Sequence, residues 1–405
     1  MANTFKTLSD GDITRMALES FHNELKFIKT INRQYDDRFA VEGAKNGGTL
    51  LIREPNEAVV RSGAVMDIQD EAESTQTLTV ATQRGVDMAF TSVEMTMSVD
   101  DFQERFLKPK MTKLAAIVEN TVLANVYKDV FNLTGTPATT PASMVAVLNA
   151  GARLSKELAP VSDRHILMES EAMAGTVNSV GLYFHKASEL ERAFSEGYIG
   201  SAAGFKWWES NMVPNHTNGT RDDTTPVCNT STGITSASAS IVTTGADGTM
   251  TVGDIFTIAD VYAINRETKE RYSYLRQFVI TTAITNDGTD TWTVSPVPVT
   301  SGAKQNVEIV SAGAGKAIVN VAAGGSGAAS LVSAQNLAYH KDAFTFVSAD
   351  LHIAEGSRMS RNKIKDISMR FWRGEDIIND KFPARFDVLF GYKTLKPEWA
   401  VRVRG

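Results

Sequence analysis

The stretch from Ser98 to Phe131 (SVDDFQERFLKPKMTKLAAIVENTVLANVYKDVF) constrains this chain more than any other, because it predicts one long helix around which the rest must be arranged. Ser98 followed by Asp101 is a capping pattern, and Phe102 and Phe106 fall one turn apart on a short first helix. Pro109 has no N–H to give and suits a first turn, so the long helix is expected from Pro109 onward. Leu114, Ile117, Val118, Val122, Val126, Val130 and Phe131 recur at three- and four-residue steps, while Lys110, Lys113, Glu119, Asn120 and Lys128 fall largely elsewhere on the wheel. At about 1.5 Å per residue the helix reaches about 30 Å, the span of a small domain. Such a helix serves as a spine.

A chain of 405 residues exceeds one comfortable core, so two or three domains are expected. Hydrophobic and charged contents of 42% and 22% are those of a folded protein, not a disordered one. The net charge of −6 argues against an overall basic nucleic-acid coat and leaves room for local basic surfaces. A single cysteine, Cys228, excludes an intrachain disulfide and a cysteine metal site. The amino-terminal residues MANTFKTLSDGDITRMALESF lack an apolar signal-peptide core, and no run approaches the length of a membrane span.

Ahead of the spine, residues 11–32 are expected to be helical, with Ile13, Met16, Ala17, Phe21, Leu25 and Ile28 on one face. Gly48–Glu54, Thr77–Gln83 and Met88–Met97 are strand candidates, and the polar, mixed-charge stretch Pro55–Ser74 between them reads as an interaction loop. After the spine, Ser143 is placed to cap a helix through Leu154. Arg164–Met168 reads as a buried strand, and Glu169–Gly175 and Leu190–Phe194 as helical turns. Composition then shifts to Thr, Ser, Gly and β-branched residues from Asp222 to about Ser333. Strands are expected at Ala239–Thr243, Ile255–Ile258, Val261–Asn265, Tyr272–Thr282, Thr291–Val294, Val307–Val310 and Ala317–Val321. Gly245–Gly248, Asn265–Lys269 and Asn286–Asp290 read as turns between them, the pattern of a sandwich or small barrel. Strand patterns resume at Asn336–Val347, Ile364–Trp372, Ala384–Lys393 and Trp399–Val403, so 222–333 reads as a domain inserted into an α+β host.

Chemistry is hard to find. None of the six histidines has HExxH or HxH spacing. His340 and Asp342 offer a base and a carboxylate without a nucleophile signature, and Gly313–Lys316 departs from a phosphate loop at Val310 and Ala317. No enzyme, metal or cofactor is expected. Arg358–Arg404 holds a local excess of Lys and Arg, interleaved with Phe371 and Trp372, without a sequence-reading motif.

An amphipathic arm, a two-stranded excursion, a spine helix, an α+β domain, a β-rich insertion and closing strands follow one another in an order that resembles the major capsid proteins of tailed bacteriophages, and within them the P22-like coat proteins. The residues that carry the resemblance are Gly48–Ser98, the helix core KPKMTKLAAIVENTVLANVY, and above all Ala239–Val299, where TVGDIFTI is followed by NDGTDTWTVSP. DAFTFVSADL at Asp342–Leu351 looks like the strand re-entering the host domain; Gly200–Thr220 matches no family motif. The resemblance implies an α+β, HK97-like capsid fold with an inserted β-barrel. Its parts would be an arm over 1–47, an E-loop with flanking strands over 48–97, the spine helix over 98–134, a P/A domain over 135–221, the insertion over 222–333 and the returning strands over 334–405. It implies self-assembly as hexamers and pentamers into an icosahedral shell around double-stranded DNA, with a scaffolding protein, a portal protein and expansion on packaging. The site would be the virion, after assembly in the host bacterial cytoplasm. Arg53, Glu54, Arg61 and Asp67 are the expected inter-subunit contacts, by their place in the E-loop. The competing reading is a carbohydrate- or partner-binding module whose working part is the β insertion.

Overall fold

The computed structural model describes residues 10–36, 49–55, 57–58, 60, 63–66, 68, 74–91, 106–136, 139–180, 201–221, 226–228, 234–310, 315–321, 330–353, 358–375 and 381–405. The chain divides into two compact units, one of 1–53, 75–122 and 344–393, the other of 54–74, 123–343 and 394–405.

In the first unit a six-stranded sheet runs in the order Asn32–Asp36, Phe344–Ala349, Lys381–Thr394, Ile367–Arg373, Met359–Ile364, and Thr82–Thr91 also pairs with Lys381–Thr394. Asn32–Asp36 lies parallel to Phe344–Ala349, so the amino-terminal segment expected to stay helical to residue 32 ends as an edge strand. Before it, the arm helix Asp10–Glu24 and a short helix Phe27–Thr30 bury Ala17, Leu18, Phe21, Phe27 and Ile28. Phe27 packs its ring 5.6 Å from that of Phe344. The arm helix rests on the Met359–Arg373 hairpin, where Asn362 Nδ2 donates to the Gly11 carbonyl at 2.7 Å and Thr14 Oγ1 to Ser360 Oγ at 2.9 Å. Ile364–Trp372 is not one strand, as its β-branched and aromatic content suggested. Lys365 and Asp366 take positive φ of 46° and 66° and close a two-residue turn, a conformation usually signalled by Gly or Asn.

The long helix spans Lys108–Val126 with Pro109 in its first turn, and continues as a 3₁₀ turn over Tyr127–Asp129. Met111, Leu114, Ala115, Val118, Val122 and Val126 are buried as the periodicity requires. Two assignments reverse: Ile117 is 43% exposed, and Glu119 is only 3% exposed. Phe102 and the expected cap at Ser98, like Leu190–Phe194, lie outside the described residues.

The second unit holds a host sheet in the order Leu133–Thr134, Ala400–Val403, Asn336–His340, Arg164–Met168, Phe205–Glu209, Ser201–Ala202. Helix Met144–Lys156 covers it with Val147, Ala150 and Leu154 against Ile166, Met168, Val401 and Val403. Ser143 stands at the N-cap with extended backbone but makes no side-chain cap bond. Arg164 closes the other end, donating from Nη1 to the Gly151 carbonyl at 3.3 Å and from Nη2 to that of Ala159 at 2.7 Å. Helix Ser170–Val180 follows strand Arg164–Met168.

Inserted into this host is a seven-stranded sheet ordered Val227–Cys228, Ser240–Met250, Ile284–Ser295, Arg271–Ile280, Ile255–Ile264, Val307–Ile309, with Ile318–Asn320 also on Ile255–Ile264. Its core centres on Trp292, fully buried, with Phe256 edge-on at 5.1 Å and Phe278 stacked on Phe256 at 5.8 Å. Gly245–Gly248 and Asn286–Asp290, read as turns, instead pair with each other inside Ser240–Met250 and Ile284–Ser295. A bulge between Thr244 and Ala246 absorbs the positive φ of Gly245, which is why turn-like residues persist within a strand. Ile255–Ile258 and Val261–Asn265 merge into one strand, whereas Asn265–Lys269 is the turn expected, with the Asn265 side chain accepting from the Glu267 N–H at 2.9 Å.

Candidate assembly site

The excursion begins as a hairpin of Thr49–Arg53 on Thr75–Thr79, paired from Thr49↔Thr79 to Arg53↔Thr75. Its inward residues Leu50 and Ile52 join Leu78, Val80, Val347 and Ala349, and Leu51 is left 65% exposed. Beyond the hairpin, the loop neck is tied twice: the Glu54 N–H donates to the Ser74 carbonyl at 2.9 Å, and Ser74 Oγ donates to Glu54 Oε2 at 2.6 Å.

Past this neck the loop is less polar than its composition implied. Val60, Val65, Met66 and Ile68 are 94%, 85%, 75% and 79% exposed, and no other described stretch concentrates large apolar side chains so openly. Leaving them in water forgoes burial worth about 1.5–3 kcal/mol per side chain. A surface of this kind suits docking onto another protein.

Of the residues expected at subunit contacts, Arg53 is exposed at the end of its strand and Glu54 forms the neck, while Arg61 and Asp67 lie outside the described residues. A further loop residue, Glu57, was missed. Its Oε1 accepts from Arg266 Nη2 at 2.5 Å, and Arg266 Nη1 donates to Glu398 Oε1 at 3.0 Å. Burial pulls the Arg266 guanidinium down, but Glu398 and Glu57 outweigh it and hold the group above its ordinary value. The turn Asn265–Lys269 of the inserted sheet thus grips the root of the loop. Nothing in sequence spacing joins positions so far apart.

The inserted sheet is seated on its host by strand Arg271–Ile280. Tyr272 and Tyr274 stack at 5.3 Å and lie against the helix end at Arg153 and Lys156, with Arg153 Cζ 3.9 Å from the Tyr274 ring centre. Arg276 donates to Glu157 Oε1 at 2.7 Å in a pair whose side chains are 4% and 3% exposed. The Gln277 amide both accepts from the Leu133 N–H and donates to its carbonyl, standing in for a missing strand. Ile255 and Val279 pack on Phe131 and Leu133.

A buried polar chain adds to this seat. Asp254, fully buried, accepts from His216 Nε2 at 2.9 Å and from the Thr251 and Gly219 N–H groups. That leaves His216 Nδ1 to accept the Tyr127 hydroxyl at 3.1 Å. Burial holds the imidazole below its ordinary value although Asp254 works in the other direction. Arg402, also fully buried, donates to the Gly253 carbonyl at 2.8 Å, and Gly253 holds a φ of 103° that a side chain would strain, with a Cβ there 3.2 Å from the His216 ring.

In the first unit the long helix holds the arm through Glu119. Its carboxylate accepts the Lys26 and Ile28 N–H groups at the start of Phe27–Thr30. Burial dominates these bonds and pushes the carboxyl up to about 7.

The remaining candidates for chemistry each have a local setting. His340 Nδ1 accepts the Asp342 N–H at 3.2 Å within a tight turn and faces Trp399 edge-on at 5.2 Å. Cys228 is buried, which pushes its thiol up. Among the described residues no group of three His, Cys, Asp or Glu is placed to hold a metal ion, and no helix is long and apolar enough to cross a membrane. The basic excess near the carboxy terminus is dispersed: Arg370 and Arg385 pair with buried Asp387, Arg361 pairs with Asp350, and Arg402 and Arg404 are buried.

A family model described as P22 coat protein, gene protein 5, matches residues 6–405. Among solved structures the chain is similar to that of Mycobacterium phage Che8, at 12% identity and a TM-score of 0.45 over 94% of this chain and 89% of that one. It is similar to the capsid of Ralstonia phage GP4 at 7% identity and a TM-score of 0.46, over 93% and 87% of the two chains. The CUS-3 coat protein I-domain aligns at 23% identity and a TM-score of 0.18, over 24% of this chain and 96% of that one. No curated protein sequence matches.

Proposed function

The chain belongs to the P22 coat protein family and is a bacteriophage coat protein, and we propose that its copies self-assemble into the icosahedral shell of a tailed phage around double-stranded DNA. The observation that carries this reading is the family match across nearly the whole chain; the openly apolar loop supplies a means of contact. In this reading the subunit has the HK97-like fold, forms hexamers and pentamers, and has no catalytic role. Assembly takes place in the host bacterial cytoplasm with a scaffolding protein and a portal, and the procapsid expands as DNA enters. Val60, Val65, Met66 and Ile68 dock on a neighbouring copy, and Arg53, Glu54, Arg61 and Asp67 set the register around them. Contacts repeated over many copies close a shell even when each is weak.

The inserted sheet is a closed β-barrel in the same reading. Supporting closure, the Cys228 N–H donates to the Lys316 carbonyl at 2.9 Å, the Gly315 N–H to that of Cys228 at 2.9 Å, and the Ile318 N–H to that of Pro226 at 2.8 Å. These bonds join the first strand to the segment that leads into Ile318–Asn320. The barrel braces the subunit by gripping Glu57 and by its seat on Glu157 and Leu133.

Replacing Met66 and Ile68 by Asp tests the docking. The expected result is a folded subunit, unchanged by circular dichroism, that no longer sediments as shells when coexpressed with its scaffolding partner. Shells formed normally by the double variant would exclude the loop tip as a contact.

A further inference from the structure

Three cations converge on the amino-terminal arm without carboxylate partners. Arg33, on strand Asn32–Asp36, places Nη1 3.4 Å from His22 Nε2 of the arm helix and 3.2 Å from the Lys365 carbonyl in the Ile364–Ile367 turn. Lys29, on the short helix, donates to the Asn23 carbonyl at 2.7 Å. Among the described side chains, which do not include that of Asp36, no carboxylate comes within ion-pairing distance of Lys29, Arg33 or Lys365, although the same hairpin pairs Arg361 with Asp350 at 3.1 Å and Lys363 with Asp366 at 3.6 Å. The two carboxylates that act on Lys29 do so from farther off: Glu24, and Glu119, which is engaged with arm N–H groups.

The four elements feel one another. Burial, and then Lys29, Lys365 and Arg33, hold the His22 imidazole down at about 4, so at neutral pH it is an uncharged acceptor for Arg33 and adds no charge of its own. Both of these Arg33 contacts use Nη1, so Nη2 and Nε of the guanidinium fork can serve an acceptor with two oxygens. Like charges held together repel, and a bound anion relieves that repulsion.

We propose that Lys29, Arg33 and Lys365, gathered around His22, form a binding site for the phosphodiester backbone of duplex DNA. The choice of DNA as the polyanion rests on the coat-protein reading; the site itself rests on the geometry. An acidic protein segment would need apolar anchors beside the charges, and none of the described large apolar side chains that are exposed lies on the arm helix, the short helix, the edge strand or the turn. Binding of this kind holds phosphates without reading bases.

The test is fluorescence anisotropy of a labelled short duplex of mixed sequence, titrated with the unassembled full-length chain over a series of sodium chloride concentrations. Three phosphate contacts give a slope of log affinity against log salt of about −2.7. Lys29→Gln, Arg33→Gln and Lys365→Gln together are expected to flatten that slope to near zero, and Lys365→Gln alone, in an exposed turn side chain, by about 0.9. Lys108→Gln with Lys113→Gln, exposed on the long helix, should leave it unchanged. An unchanged slope in the triple and single variants overturns the site. Displacement of the duplex by polyglutamate at lower charge concentration than by unlabelled duplex assigns the site to an acidic protein and overturns DNA. Normal shells with duplex binding indifferent to these residues would sink the site and spare the coat reading. Site-dependent binding by a chain that never forms shells would do the reverse.

Discussion

Glu119 offers the sharpest test of how the arm is held. Its carboxyl sits at about 7 in the folded chain against an ordinary 4.5, so the fold binds a proton that the unfolded chain releases. A raised value contributes stability that is fully present below pH 4.5 and is lost as pH rises through 7. The gap corresponds to about 3 kcal/mol. Wild type should therefore be less stable at pH 8 than at pH 5 by up to about 3 kcal/mol from this group alone, and Glu119→Gln, which cannot ionise, should remove that part of the slope. Glu119→Ala is different: it strands the Lys26 and Ile28 N–H groups, at about 1–3 kcal/mol for each left unpaired, at every pH. Urea unfolding of the unassembled chain across this pH range reads the first effect. Hydrogen exchange at Lys26 and Ile28 reads the second. A Glu119→Gln protein with the wild-type pH dependence, or Glu119→Ala with wild-type protection at those two amides, would refute the latch.

Other positions give independent outcomes. Arg276→Ala should cost about 3–5 kcal/mol by urea denaturation, because it leaves the Glu157 charge buried without a partner, and the paired change Arg276→Met with Glu157→Leu should recover most of it. Arg266→Ala breaks a partly exposed three-way pair and should change global stability by only about 1 kcal/mol, while limited proteolysis of the loop between Glu54 and Ser74 becomes faster. Tyr127→Phe leaves His216 Nδ1 without its donor in a buried site, for a loss of about 1–3 kcal/mol in the same assay. Deleting 222–333 strips Ile255 and Val279 from Phe131 and Leu133 and leaves Glu157 unpaired, so insoluble protein is expected on expression rather than a soluble host that has lost a ligand.

The long helix and most strands of the insertion were legible because burial imposes a period that side chains cannot hide: Leu114, Val118 and Val122, or Phe278 and Ile280, are apolar where the fold needs them. Misreadings came where a local rule was overruled by a distant partner. Glu119 was placed on the polar face because a carboxylate belongs in water, and only the arm's N–H groups, more than ninety positions away in sequence, make its burial tolerable. Lys365 and Asp366 turn without Gly or Asn, so Ile364–Trp372 read as one strand. Asn286–Asp290 looked like a turn until its pairing with the bulged strand was seen. In the excursion, averaging over charged residues masked Val60, Val65, Met66 and Ile68, although their letters stood in plain view. The grip of Arg266 on Glu57 had no signal in the sequence, because an ion pair between remote segments leaves no spacing to detect.

The most direct test of the account is electron cryomicroscopy of the particles formed when the chain is expressed with the scaffolding protein proposed for it. Closed shells of uniform diameter, with Val65, Met66 and Ile68 of each copy buried against a neighbour, are the expected result. A chain that stays monomeric, or shells in which the loop tip remains in solvent, would contradict it.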